Sequence, residues 1–229
     1  MRLSLILPLY NECSNLRRNF RKIYKAVNDI GDSEIILAED GSTDCTKEYA
    51  RKLSRLKNVR LISSKQRLGR GRALKNAIRI ANGRTIGYID IDLAVPVGYI
   101  GIALNSVEQG NKMVVGSRYG EGSKAKRSAK RLIASIGYNS LLRLLLKSGV
   151  KDHQCGFKFW NAKFIKSLSG EIKDNHWFFD SESIVRAEWK GVPVLEMPVE
   201  WREQKGTTVT NGDVAYFIRS IMRLRAEKR

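Results

Sequence analysis

Short apolar runs alternate, over the first half of the chain, with segments whose apolar residues recur at helical spacing. The runs lie at residues 3–7, 34–38, 58–62 and 85–89. The helical pattern is clearest after the first run, where apolar residues between Leu16 and Val27 share one face. Because strands that alternate with helices form right-handed βαβ units, the pattern predicts an α/β fold around a parallel sheet.

The second half of the chain continues the alternation less regularly. Further elements are predicted as strands at residues 113–115, 156–160 and 194–201 and as a helix at 178–189. A basic region covers residues 118–150 and contains a helix that ends near Lys147, and an amphipathic helix covers about 213–227. No repeat or linker interrupts residues 1–229, which are therefore expected to form a single domain.

The charge of the chain is strongly one-sided. Lysine and arginine number 42 against 23 aspartates and glutamates, which gives a formal net charge of +19. Such a field attracts phosphates, nucleic acids or an anionic membrane surface. Aromatic residues make up 8% of the chain and do not alternate with basic residues, which disfavours a platform for single-stranded nucleic acid. We expect no nucleic-acid partner, and a basic nucleic-acid-binding protein stays as a remote alternative.

Cysteine usage and hydropathy bear on the compartment. Cys13, Cys45 and Cys155 are odd in number and form no CxxC pair, so we expect three buried thiols in a reducing compartment rather than a disulfide. The apolar runs at residues 3–9 and 141–146 are far shorter than the ~20 residues that a membrane-spanning helix needs. Contact with a membrane is therefore expected to be peripheral.

Polar clusters follow three of the predicted strands at the point where each strand ends. They occupy residues 10–12, 39–42 and 90–92. In parallel sheets, ligands bind beyond the carboxyl ends of the strands, so the clusters are expected to face one crevice. Asp90 and Asp92 offer hard oxygen donors that suit Mg²⁺ or Mn²⁺ with a bound diphosphate. Taken alone, the pair is equally compatible with a turn or a helix cap.

Several other charged residues are compatible with both a binding and a structural role. Asp40 is a candidate to accept hydrogen bonds from a nucleobase or ribose, or it belongs to a helix-capping cluster. Arg70 and Arg72, near a helix start, are candidates for phosphate contacts. Arg118 closes a strand-end turn, where a guanidinium can hold a phosphate through paired hydrogen bonds.

The remaining polar candidates lie in the second half of the chain. His153 and His176 have no serine or cysteine at triad-like spacing, and both are expected to be structural. Asp180 or Glu182 is a candidate to bind sugar hydroxyls if its side chain faces a pocket.

These motifs together resemble family 2 glycosyltransferases of the GT-A fold. The resemblance is carried by residues 7–12 (LPLYNE), 39–44 (EDGSTD), 90–92 (DID) and 115–118 (VGSR). Within that family, the dolichyl-phosphate β-glucosyltransferases are similar at residues 127–131 (RSAKR), 151–158 (KDHQCGFK), 177–182 (WFFDSE) and 199–203 (VEWRE). The resemblance extends from residue 3 to about 209. It implies a three-layer αβα sandwich with a mostly parallel central sheet.

The resemblance implies a hexosyltransferase that acts with inversion, uses a nucleotide-sugar donor and has a polyprenyl (dolichyl) phosphate as its acceptor. Glucose from UDP-glucose is favoured, with Mg²⁺ or Mn²⁺ as cofactor. The residues implied for the nucleotide-sugar are Pro8, Tyr10, Glu12, Asp40, Ser42 and Asp90, and Arg72 joins them from its place at a helix start. The residues implied for the metal are Asp90 and Asp92, and those for the acceptor phosphate are Arg118, Arg127 and Arg131. Catalysis is assigned to Asp92, Arg118 and Asp152, with Asp152 near the reacting sugar.

Two departures from the family pattern refine this expectation. The mannosyl-phosphate branch often carries a metal-ligating glutamine two positions after the second aspartate, where this chain has Ala94. Ala94 favours the glucosyl branch and leaves the other metal ligands to phosphate and water. Eukaryotic glucosyl members begin with a membrane anchor, and this sequence shows none. We therefore expect peripheral attachment to the cytoplasmic face of the membrane through basic residues, the helix near Lys147 or the C-terminal helix.

Two alternatives within the family stay open. One is a dolichyl-phosphate mannosyltransferase that uses GDP-mannose, and the other is a family 2 enzyme with a non-lipid acceptor. Transfer to a polyprenyl or dolichyl phosphate, which is the favoured interpretation, implies a role in protein glycosylation. The sequence does not indicate an oligomeric state.

Overall fold

The computed structural model describes residues 1–126, 129–202 and 211–228. Within these ranges the strands are β1 (Leu3–Leu9), β2 (Ser33–Glu39), β3 (Val59–Ser63), β4 (Thr85–Ile89), β5 (Met113–Ser117), β6 (Lys124–Lys126), β7 (Phe157–Asn161), β8 (Val194–Pro198) and β9 (Glu200–Arg202). The helices are α1 (Cys13–Ile30), α2 (Thr46–Leu53), α3 (Arg70–Ile80), α4 (Tyr99–Glu108), α5 (Ala129–Leu146), α6 (Ala162–Ser169), α7 (Phe179–Trp189) and α8 (Asn211–Glu227).

A seven-stranded sheet forms the centre of the fold, in the order β3-β2-β1-β4-β7-β5-β8. β7 runs antiparallel to its neighbours β4 and β5, and the other pairings in this sheet are parallel. The predicted α/β class with a mostly parallel sheet is confirmed. β6 and β9 form a small parallel pair of their own. Because β1 lies between β2 and β4, the loops after these three strands open on the same edge of the sheet.

Helices cover both faces of the central sheet because its strands are apolar on both sides. Leucines at alternate positions of β1, from Leu3 to Leu9, pack into one cluster with residues of α1, α2 and α4. Ile6 faces the opposite cluster, which contains residues of α3, α6 and α7. Successive side chains of a strand thus pack against helices on opposite faces of the sheet, which produces the three-layer αβα sandwich.

α5 and α8 pack together beside α7. Leu142 and Leu146 of α5 share a buried cluster with Val185 of α7 and with Ile221 and Leu224 of α8. Within the described ranges, no helix has both the length and the apolar content that crossing a membrane requires.

Three elements are not predicted by the sequence patterns. α4 reads YIGIALNSVE, which is apolar along most of its length and shows no clear polar face. α6 has 8 residues and β6 has 3, which is too short for a periodic pattern to stand out. The single strand expected at residues 194–201 is divided at Val199 into β8 and β9.

Cys13 and Cys45 form a disulfide, so the expectation of three free thiols is wrong, and the cysteines no longer argue for a reducing compartment. Their Cα atoms lie 5.5 Å apart although 32 positions separate the residues in sequence. Cys13 begins α1 and Cys45 directly precedes α2. Since β1 and β2 are adjacent parallel strands, the loops that follow them meet, and local cysteine spacing contains no sign of this. Cys155 is a buried free thiol, as expected.

Candidate active site

The loops after β1 and β2 are held together by hydrogen bonds. The Asn11 N–H donates to Ser42 Oγ at 3.0 Å, and the Thr43 N–H donates to Asn11 Oδ1 at 2.9 Å. The Glu12 N–H donates to Thr46 Oγ1 at 2.8 Å. Together with the disulfide, these bonds fix the first two polar clusters against each other.

The third polar cluster, after β4, completes an acidic crevice. Burial raises the pKa of Asp92 to about 6, and the negative charges of Asp90 and Glu12 add to this effect. Burial also raises the pKa of Glu12, to which the charge of Asp90 contributes. The three carboxylates therefore lie close enough to repel one another when all are ionised.

The carboxylates of Asp90 and Asp92 fit a divalent cation. Oxygen donors in a field of negative charge are what Mg²⁺ and Mn²⁺ prefer. Asp92 Oδ1 accepts a hydrogen bond from the Ala94 N–H at 3.0 Å, which orients the carboxylate. In the part of the chain that the structure describes, no three histidine, cysteine or acidic side chains converge as a complete ligand set. A cation held here would complete its coordination with oxygens of phosphate and water.

Arg70, the first residue of α3, faces Asp90. Its Nη2 donates to Asp90 Oδ1 at 2.5 Å, and its side chain is only 16% exposed. Arg72 is exposed on the same helix, and its contact with the nucleotide-sugar stays a prediction. Residues two apart on an α-helix point about 200° away from each other. This helical phase turns Arg70 towards the crevice and Arg72 away from it.

Gly156, directly before β7, allows Asp90 to lie close to the backbone. A Cβ at this position would collide with the Asp90 carboxylate. The Asp90 N–H also donates to the Gly156 carbonyl oxygen at 3.0 Å. The sequence motif around Gly156 indicates the resemblance but assigns this glycine no role, because the approach of Asp90 depends on the pairing of β4 with β7.

Four of the predicted nucleotide contacts are at least partly exposed around the crevice. They are Tyr10, Glu12, Ser42 and Asp90. The guanidinium of Arg67 lies 4.1 Å from the centre of the Tyr10 ring, which is a cation–π contact. Arg67 was not among the predicted site residues, because its approach to Tyr10 is set by the loop between β3 and α3.

Asp40 and Pro8 lie in the framework beneath the crevice. Asp40 is only 3% exposed, and its two carboxylate oxygens accept hydrogen bonds from the N–H groups of Leu68 and Gly69, each at 2.8 Å. Pro8 is buried within β1. The predicted contacts of Asp40 and Pro8 with the nucleotide stay predictions. Asp40 instead holds the loop that leads into α3, and thereby positions Arg70.

Arg118 and Asp152 form a bidentate ion pair after β5. Nε donates to Oδ2 at 2.6 Å and Nη2 donates to Oδ1 at 2.7 Å. Burial opposes the ionisation of Asp152, but the charge and hydrogen bonds of Arg118 outweigh it and lower the pKa of Asp152. Asp152 is fully buried and Arg118 is 11% exposed. The Asp152 carboxylate holds the Arg118 guanidinium, and its place near the reacting sugar stays a prediction.

The other two predicted acceptor residues are Arg127 and Arg131. Arg127 lies outside the described residues. Arg131 belongs to α5, but its side chain is outside the part of the chain that is described.

Asp180 and Glu182 are engaged inside the protein rather than in a pocket. The Tyr88 hydroxyl donates to Asp180 Oδ1, and Lys158 Nζ lies 3.1 Å from the same oxygen. Glu182 is fully buried and accepts from the main-chain N–H groups of Lys173 and Asp174 and from two arginine side chains. Neither carboxylate is placed to bind sugar hydroxyls.

His153 has the structural role that was expected. Its ring is hydrogen-bonded to Ser148 Oγ at 2.8 Å and to Asn139 Oδ1 at 2.9 Å. Burial lowers the pKa of His153 to about 3, so the ring is neutral at physiological pH.

Comparison with known proteins identifies the family. Residues 4–168 match the model of the family described as Glycosyl transferase family 2. The chain belongs to glycosyl transferase family 2. It is 39% identical over 210 residues to Glycosyltransferase AglD of Haloferax volcanii, in a match that covers 90% of this chain and 34% of AglD. The chain therefore spans about a third of the length of that relative.

Other family 2 relatives are named as dolichyl-phosphate beta-glucosyltransferases. One from Trichomonas vaginalis is 31% identical over 223 residues, covering 89% of this chain and 67% of that protein. One from Dictyostelium discoideum is 29% identical over 221 residues, covering 90% and 68%. The family 2 chain is thus a glycosyltransferase, as the motifs indicated.

Solved structures of similar fold include those of two further glycosyltransferases. Glucosyl-3-phosphoglycerate synthase from Mycobacterium tuberculosis, in complex with Mn²⁺, UDP and glucosyl-3-phosphoglycerate, has a TM-score of 0.68 at 16% identity, covering 97% of this chain and 78% of that one. Mannosyltransferase PcManGT from Pyrobaculum calidifontis, in complex with GDP-Man and Mn²⁺, has a TM-score of 0.65 at 17% identity, covering 99% and 63%. The predicted GT-A fold is confirmed.

Proposed function

We propose that this family 2 glycosyltransferase transfers a hexose, with glucose favoured, from a nucleotide-sugar to a polyprenyl or dolichyl phosphate. UDP-glucose is the favoured donor. The proposal is supported by the names of the dolichyl-phosphate beta-glucosyltransferase relatives, each of which matches about nine tenths of this chain. Transfer to a lipid phosphate is also consistent with the net charge of +19, which favours anionic acceptors and anionic surfaces.

The observation that carries the proposal is the group of mutually repelling carboxylates at the ends of adjacent strands. Glu12 and Asp92 have raised pKa values because burial and neighbouring carboxylates disfavour their charge. A divalent cation would relieve this repulsion and favour the ionised carboxylates. When bound by Asp90 and Asp92, Mg²⁺ or Mn²⁺ would neutralise charge on a leaving diphosphate. Tyr10, Glu12 and Ser42 would then contact the nucleotide-sugar in the same crevice.

The Arg118–Asp152 pair is proposed to serve the acceptor. A phosphate is already ionised at neutral pH, so the attack needs no strong general base, and Asp152 need not accept a proton. Asp152 is instead a positioning residue that aims the Arg118 guanidinium. Arg118, with Arg127 and Arg131, would hold the phosphate oxygen behind the anomeric carbon, so that transfer inverts its configuration.

α5 and α8 are proposed to contact an anionic membrane surface at its cytoplasmic face. Their most exposed apolar side chains are Leu132, Ile133, Ile136, Leu144, Val214, Ile218 and Met222, with Ile133 at 71% and Leu144 at 77%. The α5 sequence, AKRLIASIGYNSLLRLLL, contains no acidic residue. An exposed apolar face with basic neighbours is the pattern of an interfacial helix, and each basic residue near an anionic surface contributes about 1 kcal/mol.

The transfer reaction is tested with purified protein, polyprenyl phosphate, Mg²⁺ or Mn²⁺, and labelled UDP-glucose, GDP-mannose or UDP-GlcNAc in parallel. We expect label in the organic extract from UDP-glucose. If only GDP-mannose gives labelled lipid, the protein is a mannosyltransferase rather than a glucosyltransferase. If no donor gives a lipid product, the proposal is refuted. Asp92→Ala is expected to abolish transfer, whereas Asp29→Ala, which removes an exposed carboxylate of α1, is expected to retain it.

Membrane contact is tested by flotation with vesicles that contain either anionic or only zwitterionic lipids. We expect flotation with anionic vesicles, and Leu144→Asp should reduce it by placing a charge on the exposed face of α5. Ile102→Asp is the matched control, because Ile102 is 53% exposed on α4. Equal loss of flotation in both variants would remove α5 from the proposed contact.

A further inference from the structure

Arg70 is a buried cation that pairs with the carboxylate proposed to hold the metal. Its Nη2 donates to Asp90 Oδ1 at 2.5 Å. Aromatic rings flank the guanidinium, with ring centres 5.2 Å away for Tyr88 and 5.3 Å away for Trp177. Arg70 therefore supplies positive charge in the place where the proposed function requires a divalent cation.

The pairing of Arg70 leaves part of its hydrogen-bonding capacity unused. Among the described side chains, its Nε is buried without a hydrogen-bond partner. Asp180 Oδ2 is 3.9 Å from Nε, and Asp180 also contacts Lys158 and Tyr88. A buried guanidinium donor without a partner costs free energy. A ligand with several anionic oxygens would give this donor a partner.

Arg70 and a divalent cation cannot both have full use of Asp90. A metal that enters the crevice alone must weaken the Arg70–Asp90 pair, and the released guanidinium would then lack a partner in a site of low exposure. A nucleoside diphosphate changes this balance, because its phosphate oxygens can accept hydrogen bonds from the guanidinium. Metal and nucleotide would then favour each other's binding.

We propose that Arg70 is a resident counter-ion of the crevice that makes divalent-cation binding depend on a nucleoside diphosphate. Arg70 holds Asp90 while the crevice is empty and transfers its hydrogen bonds to the diphosphate when that ligand arrives, which releases Asp90 to the metal. The proposal rests on the proposed function of the crevice. In this proposal Arg70 is a positioning residue that changes the affinity for the metal and the nucleotide. A purely structural ion pair would change only the stability of the fold.

The experiment measures the dissociation constant of Mn²⁺ by calorimetry, with and without saturating UDP, in the absence of any acceptor. In the unchanged protein, UDP is expected to tighten Mn²⁺ binding. In Arg70→Met, Mn²⁺ should bind the UDP-free protein about tenfold more tightly, because no ion pair has to be broken. In the same variant, the factor by which UDP tightens Mn²⁺ binding should fall towards one. Because coupling between two ligands is reciprocal, the factor by which Mn²⁺ tightens UDP binding should fall equally.

Two further variants control for charge and folding. Arg79→Met removes the same charge from an exposed position of α3 and should leave both dissociation constants unchanged. Arg70→Lys keeps the charge and should give an intermediate coupling factor; it also provides the test if Arg70→Met does not fold. Unchanged Mn²⁺ binding and coupling in a folded Arg70 variant would overturn the inference and leave the proposed function standing. Failure of the unchanged protein to bind either UDP or Mn²⁺ would refute the proposed function itself.

Discussion

Replacing Asp92 with asparagine removes the charge of this carboxylate and keeps its shape. The Ala94 N–H donates to Asp92 Oδ1 at 3.0 Å, and an asparagine oxygen can accept the same hydrogen bond. The substitution therefore changes mainly the electrostatic penalty. Burial, with help from the charges of Asp90 and Glu12, raises the pKa of Asp92 from 3.8 to about 6.

The direction of the effect on stability follows from proton linkage. Between pH 4 and pH 6 the folded protein keeps a proton on Asp92 that the unfolded chain has lost, so stability falls as the pH rises through this window. Above the window, the ionised carboxylate carries a penalty of at most about 3 kcal/mol. At pH 7.5 without metal, Asp92→Asn is expected to raise the free energy of unfolding by about 1–3 kcal/mol. For a chain of this size, the melting temperature should rise by about 2–4 °C per kcal/mol.

The assay is thermal unfolding in EDTA at pH 7.5 and at pH 4.5, followed by a titration with Mn²⁺. The gain in Asp92→Asn should shrink at pH 4.5, where Asp92 of the unchanged protein is protonated. In EDTA-free buffer with saturating UDP, added Mn²⁺ should stabilise the unchanged protein and have little effect on the variant. Asp29→Asn removes an exposed carboxylate of α1 and should show neither effect. The reasoning would be refuted by an equal gain at both pH values, or by no gain at pH 7.5.

Two further substitutions test the construction of the crevice. Reduction of the Cys13–Cys45 disulfide, or Cys45→Ser, should lower the free energy of unfolding by about 4 kcal/mol. This is the loop-closure entropy that the disulfide removes from the unfolded chain for a sequence separation of 32. Denaturation with and without reductant measures the loss. An unchanged denaturation midpoint would show that the bridge is absent in solution. Gly156→Ala should displace the Asp90 carboxylate and weaken Mn²⁺ binding by about tenfold in calorimetry, as expected for overpacking of 1–3 kcal/mol. Gly101→Ala, where an added Cβ meets no atom within 4 Å, should leave Mn²⁺ binding unchanged.

Hydrophobic periodicity predicted the fold well wherever an element is long and has one clear apolar face. β1, α1 and α3 are examples, because their burial follows the local sequence pattern. The pattern failed for α4 and α6. α4 lacks a clear polar face and α6 is short, so neither contains enough periodic signal to separate it from its surroundings.

The acidic candidates of the site were predictable because strand ends can be read from sequence. The polar clusters that follow β1, β2 and β4 meet at one edge because those strands are adjacent and parallel. By contrast, the burial of Asp40 and Asp152 was not predictable. It depends on the N–H groups of Leu68 and Gly69 and on the guanidinium of Arg118, which lie 28–34 positions away in sequence.

By itself, the sequence determined the fold class and the family of this glycosyltransferase, together with the carboxylates of its crevice. These features rest on local periodicity and on residues at the ends of strands. Only the tertiary structure decided that Arg70 rather than Arg72 faces Asp90, that Asp152 is buried against Arg118, and that Cys13 meets Cys45. Such pairings depend on helical phase and on the packing of elements distant in sequence, because burial and charge act through space.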